Sequence, residues 1–114
     1  MNGDCVFCKI LAGTIPAKFA HQDPELAAIE DGSPQAPVHL LLIPRDHIPT
    51  VLDLKAEHAA LLGRIFTTAN RLALDRGLES GFRVVANNGP GGGQTIYHLH
   101  FHLLGGRPMR WPPG

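Results

Sequence analysis

The stretch HLHFHLL, residues 98–104, places three histidines at alternate positions of an otherwise apolar segment. Successive side chains of a β-strand point to opposite faces, so the spacing predicts a strand from about Thr95 to Leu104 with two unlike faces. One face would carry His98, His100 and His102, and the other would carry Tyr97, Leu99, Phe101 and Leu103. Because imidazole nitrogens need polar partners, the histidine face is expected to meet a metal ion or an anion.

A glycine-rich loop, GPGGGQ at residues 89–94, comes directly before this strand. Glycines let a backbone turn sharply and aim several N–H groups at one point, which is one way to hold a phosphate. By itself such a loop is more often a plain hairpin connection. Its position beside the histidines favours a phosphate site with an imidazole as nucleophile or acid–base group.

The remaining chain combines short β-rich runs with one long helical pattern. From Leu54 to about Arg76 the apolar residues follow helical spacing, with Asp53 as the expected N-cap and Gly77 as the stop. Strands are expected near residues 18–21, 26–30, 38–43 and 82–86, and a short helix or turn near residues 5–13. This order predicts a single α+β domain, residues 1–114, with a largely antiparallel sheet.

Composition narrows the class of function. Ten Lys plus Arg balance ten Asp plus Glu, so the formal net charge is zero, and 44% of the 114 residues are hydrophobic. Such a balance is ordinary for a globular protein and argues against nucleic acid or an anionic membrane as a partner. Since the sequence contains neither an apolar run of the ~20 residues that span a membrane nor a signal-like N-terminus, a cytoplasmic location is expected.

Cys5 and Cys8 form a Cys-x-x-Cys pair, which suits the chelation of one tetrahedral metal ion. Two cysteines are too few for a disulfide framework. A redox pair is less favoured because the motif does not follow the strand of a βαβ unit, and two unrelated free thiols stay open as an alternative.

Three segments of the sequence resemble the histidine triad (HIT) family, and within it the Hint branch of nucleotide-binding proteins. They are CVFCKILAGTIPAK, APVHLLLIPRDHI and GGQTIYHLHFHLLGGR, and the closing WPPG is typical of some Hint members. The similarity covers nearly the whole chain from about Cys5. It implies a five-stranded antiparallel sheet with one long and one short helix, and a homodimer that joins two sheets into one of ten strands.

The resemblance also implies a chemistry, the hydrolysis of adenosine 5′-phosphoramidates or aminoacyl adenylates through a nucleotidyl-histidine intermediate. His100 would attack the α-phosphorus, His102 would contact the phosphoryl oxygens, and His39 would join a proton relay or make a plain structural hydrogen bond. Charge on the phosphoryl group would be stabilised by the backbone of Gly93 and Gln94 and by the hydroxyl of Thr95. The alternatives are dinucleoside polyphosphate hydrolysis, nucleotidyl transfer, a nucleotide-binding interaction protein and a purely metal-binding module.

Further positions are implied to recognise the nucleotide. Asp31 would accept hydrogen bonds from the ribose hydroxyls, and Asn87 would help to fix the nucleotide. Gly32 and Glu30 differ from the residues common in close relatives, so contacts with base and ribose are expected to differ there. The apolar slot for the base would consist of Phe7, Ile10, Ile29 and Leu41, each of which also fits a plain core role.

For the cysteine pair, the resemblance implies a structural zinc ion whose coordination is completed by His47 and His98. No organic cofactor is expected. The expected partners are a purine nucleotide such as AMP and a second copy of the chain.

Overall fold

A computed structural model describes residues 4–114, so the first three residues of the expected domain lie outside the described residues. Residues 4–114 form two α-helices and five strands. In chain order these are α1 (Val6–Leu11), β1 (Phe19–Gln22), β2 (Leu26–Glu30), β3 (Val38–Pro44), α2 (Ala59–Asp75), β4 (Phe82–Val85) and β5 (Phe101–Gly105). The strands lie in the order β1-β2-β3-β5-β4, and all neighbours are antiparallel. The expected α+β class and five-stranded sheet are therefore confirmed.

The two helices cover opposite faces of the sheet. Residues Leu40 and Leu42 of β3 belong to the core cluster that contains the buried side of α2, whereas Leu41 and Ile43 pack in a second cluster with α1. Because both faces of β3 are buried, this strand reads as an uninterrupted apolar run rather than as an alternating one. The face that carries α1 also carries the polar site described below.

Helix α2 begins later than its apolar spacing predicts. Two short 3₁₀ turns, Val51–Asp53 and Ala56–His58, precede it, and the residue at its N-cap is His58. The prediction of Asp53 as the N-cap was wrong, because its carboxylate accepts hydrogen bonds from the backbone N–H and hydroxyl of Thr50 instead. At the other end Gly77 has a φ of 72°, which supports the predicted stop.

Strand β5 begins six residues later than the histidine pattern predicts. The backbone N–H of Leu99 bonds to the carbonyl of Ile48 rather than to a neighbouring strand. The ladder with β3 ends at the pair Leu42 and Phe101, two residues before Pro44, which has no N–H to donate. Only His102 of the three histidines therefore lies in a strand, and His98 and His100 lie in the segment that leads into it.

The predicted apolar face is correct for three of its four residues. Leu99, Phe101 and Leu103 are buried in the core beside α2. Tyr97 does not join them and is 43% exposed, because the chain is not yet in the strand at that position. In the part of the chain that the structure describes, neither helix has the length and apolar character that a membrane span requires.

Candidate functional site

A cleft of about 580 Å³ opens on the α1 face of the sheet. All four residues of the expected base slot line it, with α1 supplying Phe7 and Ile10. Its polar side comes from the chain after β2 and from the segment around β5. The polar positions and glycine predicted for nucleotide binding that line the cleft are Asp31, Gly32, Thr95, His100 and His102.

His100 is held in one tautomer. Its Nδ1 lies 2.8 Å from the backbone carbonyl of His98, and since a carbonyl can only accept, Nδ1 carries the proton. The lone pair is therefore on Nε2. Burial lowers the pKa of His100 against the opposing effects of this hydrogen bond and the charge of Asp31, so the ring is neutral near pH 7 and able to act as a nucleophile.

A chain of hydrogen bonds connects the histidine of β3 to the histidine of β5. The backbone N–H of Gln35 donates to Nδ1 of His39 at 3.0 Å, which places the proton of His39 on Nε2. That Nε2 lies 2.9 Å from Nδ1 of His102, so His39 donates to His102, whose own proton must be on Nε2. Asp31 lies 3.3 Å from the same Nε2 of His39.

The tautomers of this hydrogen-bond chain do not suit a metal ion. Three ligand atoms of Asp31, His39 and His102 lie within 4.8 Å of one another. A metal ion on Nε2 of His39 would force the proton onto Nδ1, against the N–H of Gln35. Burial, together with the charges of His100 and His39, lowers the pKa of His102 to about 4 despite the opposing charge of Asp31, so this ring is neutral at pH 7.

A second cluster joins α1 to the loop after β3 and to the histidine segment. Sγ of Cys5 lies 3.3 Å from Nδ1 of His98, and Sγ of Cys8 lies 3.3 Å from Nδ1 of His47 and 3.5 Å from that of His98. Ligands of a tetrahedral zinc ion with ordinary bond lengths stand about 3.5 Å apart. The four predicted residues thus have the donor set and the spacing of a closed zinc site.

The surroundings of this cluster fix the tautomer of one donor, His98, and raise the pKa of another, Cys8. Nε2 of His98 donates to the carbonyl of Pro44 at 2.7 Å, which leaves the lone pair of Nδ1 facing the two sulfurs. Burial, with a hydrogen bond and charge from Cys5, raises the pKa of the Cys8 thiol to about 11. A bound cation would offset that rise, because it stabilises the thiolates.

Comparison with known proteins identifies the family. The model of the HIT domain family matches residues 12–109, which is most of the chain. The chain belongs to the HIT family. A HIT family hydrolase from Legionella pneumophila, solved as a crystal structure, is 50% identical with a TM-score of 0.96, and the match covers 97% of this chain and 100% of that one.

Two curated plant relatives of this HIT chain have informative names. The 14 kDa zinc-binding protein of Brassica juncea is 45% identical over 113 residues, which are 97% of this chain and 100% of that protein. The adenylylsulfatase HINT1 of Arabidopsis thaliana is 45% identical over 111 residues, which are 96% of this chain and 76% of that protein. The family match begins after Cys5 and Cys8, so the assignment of the metal cluster rests on the positions of its donor atoms and not on that match.

Three predicted nucleotide contacts of the HIT chain do not line the cleft. Asn87 borders a smaller cavity of about 260 Å³, which His39 and His102 also border. The backbone N–H of Gly93 bonds to the carbonyl of Pro90, and that of Gln94 bonds to the carbonyl of Gly89. These two N–H groups are thus used inside the glycine-rich loop, and a contact with a phosphate would require the loop to rearrange.

The side chain of Gln94 has a role that the sequence did not reveal. It is only 5% exposed, accepts a hydrogen bond from the N–H of Gly89, and donates to the carbonyls of Pro49 and Ile96. It therefore closes the glycine-rich loop and ties it to the chain before α2. The partners are backbone groups, so no local residue pattern identifies them.

Replacing Gln94 with alanine is expected to lower the free energy of unfolding by about 2–3 kcal/mol, because partly buried backbone groups lose their partners. Urea unfolding monitored by circular dichroism measures this change. Gln22→Ala serves as the control, since Gln22 is exposed and is expected to stay within about 0.5 kcal/mol of the parent. Equal stability of the two variants would show that the loop does not depend on Gln94.

Proposed function

We propose that this protein hydrolyses adenosine 5′-phosphate derivatives at the α-phosphorus, with phosphoramidates or aminoacyl adenylates as substrates and His100 as the nucleophile. The observation that supports this most directly is the tautomer of His100. A neutral imidazole lines the cleft with its only proton already donated to a carbonyl, so a lone pair is free for attack. Binding alone would not need a nitrogen prepared in this way.

The proposed reaction has two steps. Nε2 of His100 bonds to the α-phosphorus while the bond from phosphorus to the leaving nitrogen or acyl oxygen breaks. A leaving amine takes a proton from solvent as it departs, whereas a leaving carboxylate needs none. Water then attacks the same phosphorus and gives up a proton to solvent, the bond to Nε2 breaks, and the nucleoside monophosphate is released with a free His100. The Nε2–H of His102 is proposed to donate to the phosphoryl oxygens, and His39 keeps the proton of His102 on Nε2 by donating to its Nδ1.

Recognition is divided between the two sides of the cleft. The hydroxyl of Thr95 is proposed to contact the leaving group, and the carboxylate of Asp31 is proposed to accept from the ribose. The buried side chains of the base slot offer an apolar surface to a purine. Asn87, Gly32, Gly93 and Gln94 stay proposals as further nucleotide contacts.

A specific observation favours one further substrate. The Arabidopsis relative is named an adenylylsulfatase, and adenylyl sulfate also carries a leaving group on the α-phosphorus of AMP. The same nucleophile would serve for this substrate, because only the departing group differs.

A substrate panel tests the proposal. Purified protein is incubated with adenosine 5′-phosphoramidate, adenylyl sulfate or diadenosine tetraphosphate, and AMP release is followed by chromatography. We expect kcat/KM for the phosphoramidate to exceed that for the dinucleotide by at least about 10-fold, a difference of 1.4 kcal/mol in transition-state binding. Release of AMP from the dinucleotide alone would overturn the substrate class, and AMP binding without turnover of any substrate would favour an interaction protein.

We also propose a structural zinc ion at Cys5, Cys8, His47 and His98. Four protein donors close the coordination sphere, as in zinc sites that stabilise a fold rather than bind substrate. The name of the Brassica relative supports the identity of the metal.

A homodimer in the cytoplasm stays part of the proposal. Strand β4 lies at one edge of the sheet, and Phe82 at its start is partly exposed. An open edge of this kind can pair with a second copy, which supports the ten-stranded sheet implied by the Hint resemblance.

A further inference from the structure

The ring of Phe7 lies between a proposed metal ligand and the proposed nucleophile. Its centroid is 5.9 Å from that of His98 and 5.0 Å from that of His100, with interplanar angles of 81° and 75°. Phe7 is only 3% exposed. These are edge-to-face contacts, the favourable arrangement for pairs of aromatic rings.

The hydrogen bond of His100 does not fix the ring completely. The contact of Nδ1 with the carbonyl of His98 sets which nitrogen is free, but a ring held at one atom can still tilt about that bond. Packing against a ring plane is what limits such tilting. Among the ring pairs of the described residues, those of Phe7 and His102 contact His100, and His102 itself belongs to the hydrogen-bond chain.

Phe7 is itself anchored by the cysteine cluster. It lies in α1 between Cys5, the N-cap, and Cys8, and both sulfurs are directed at the nitrogens of His47 and His98. A helix of six residues has little stability of its own, so its position depends on such ties. At the other end Arg45 donates to the carbonyl of Leu11 at 3.3 Å.

We infer that Phe7 is a positioning residue, whose ring, anchored by the cysteine cluster, holds the imidazole of His100 in line with the phosphorus. The inference rests on the proposed function of His100 as nucleophile and adds a role to the apolar slot. Phe7 acts on the rate through His100, whereas Ile10, which also lines the cleft, has only the proposed role in the base slot. Small displacements of a nucleophile cost large factors in rate, which makes such a hold useful.

Kinetics of three variants of the zinc-loaded full chain separate these roles. Phe7→Leu keeps an apolar wall and is expected to lower kcat for adenosine 5′-phosphoramidate by about 10-fold, with a smaller change in KM. Ile10→Ala is expected to raise KM more than it lowers kcat. Lys9→Gln, on the same helix but outside the cleft lining, is expected to leave both constants near those of the parent. If Phe7→Leu raises KM and spares kcat, as expected for Ile10→Ala, the inference is overturned.

A measurement without turnover keeps the inference testable even if the substrate is wrong. NMR can follow the exchange with water of the Nδ1 proton of His100 in the parent, Phe7→Leu and Lys9→Gln proteins. We expect exchange at least about 10-fold faster in Phe7→Leu than in the other two, because a tilting ring opens its hydrogen bond more often. Chelation of zinc from the parent should have the same effect.

The two experiments distinguish failure of the inference from failure of the proposed function. Equal exchange in all three folded proteins would overturn the role of Phe7 even where hydrolysis is observed. Unchanged exchange after chelation would overturn the anchoring by the cluster. Faster exchange in Phe7→Leu with no hydrolysis by the parent would support the hold on His100 and reject only the proposed reaction.

Discussion

Replacing His100 with alanine is expected to lower the hydrolysis of adenosine 5′-phosphoramidate by at least about 10³-fold, since the covalent route disappears with its nucleophile. Among the described residues, this substitution removes the only imidazole lining the cleft whose Nε2 lone pair is free, because His102 has its proton on Nε2 and accepts a hydrogen bond from His39 on Nδ1. Neither His102 nor His39 can replace His100 as the nucleophile without a rearrangement of the hydrogen-bond chain.

Single-turnover hydrolysis and AMP titration measure the two parts of this expectation. The dissociation constant for AMP should stay within about 3-fold of the parent value, because the base slot and Asp31 are untouched. His58→Ala is the matched control, since His58 is a partly exposed histidine at the start of α2 that does not line the cleft. A His100→Ala protein that keeps more than a tenth of the parent rate would reject the nucleotidyl-histidine mechanism.

Sequence patterns correctly predicted those features in which the residue types agree with the local backbone conformation. The apolar run of β3 matches a strand covered by α1 on one face and by α2 on the other. The glycine stop of α2 was also predicted, since Gly77 adopts the left-handed conformation that glycine favours. In each case the residue type and the local backbone agree, so distant contacts were not needed.

Errors occurred where a distant partner decides the conformation. The segment before β5 alternates like a strand, yet Leu99 bonds to Ile48 and the ring of His98 is directed at the cysteines. Asp53 resembles an N-cap, but Thr50 competes for its carboxylate. Alternation describes which way side chains point, and it does not determine where the backbone finds its hydrogen bonds.

In the candidate site, too, sequence motifs identify the side chains but not the distant contacts that orient them. Motif resemblance named the histidines, and the structure brings His39 next to His102 and collects the cysteine cluster. The contacts that set the tautomers come from the backbone groups of Gln35, Pro44 and His98. Every residue type supplies such groups, so the sequence contains no signal for them.

Loss of the proposed zinc ion is expected to destabilise the fold by about 4 kcal/mol at a zinc concentration 1,000 times its dissociation constant, or roughly 15 °C in Tm for a chain of this size. The large effect follows from what the cluster connects. Its four donors come from α1, from the loop after β3 and from the histidine segment, three parts of the chain far apart in sequence. Without the cation, the thiols and imidazoles lose the interaction that holds those parts together.

Two histidine variants make this test specific. His47→Ala removes one donor, and the protein purified without a histidine tag should fall from about one zinc per chain to less than about 0.1, with the lowered Tm. His58→Ala removes a histidine outside the cluster and should leave the zinc content unchanged. It should lower Tm by no more than about 5 °C, since the ring accepts one hydrogen bond, from the backbone N–H of Lys55. The two replacements remove the same side chain, so a difference between them is caused by the cluster and not by the loss of an imidazole.

Substoichiometric zinc in the parent, unaffected by His47→Ala, would reject the site, and full zinc with an unchanged Tm after its removal would reject the structural role. Full zinc in the parent, with loss of zinc and a lowered Tm in His47→Ala, would support both the site and its structural role. That result would also explain why Cys5 and Cys8 stand beside Phe7, since the ion that stabilises α1 would also hold one wall of the cleft.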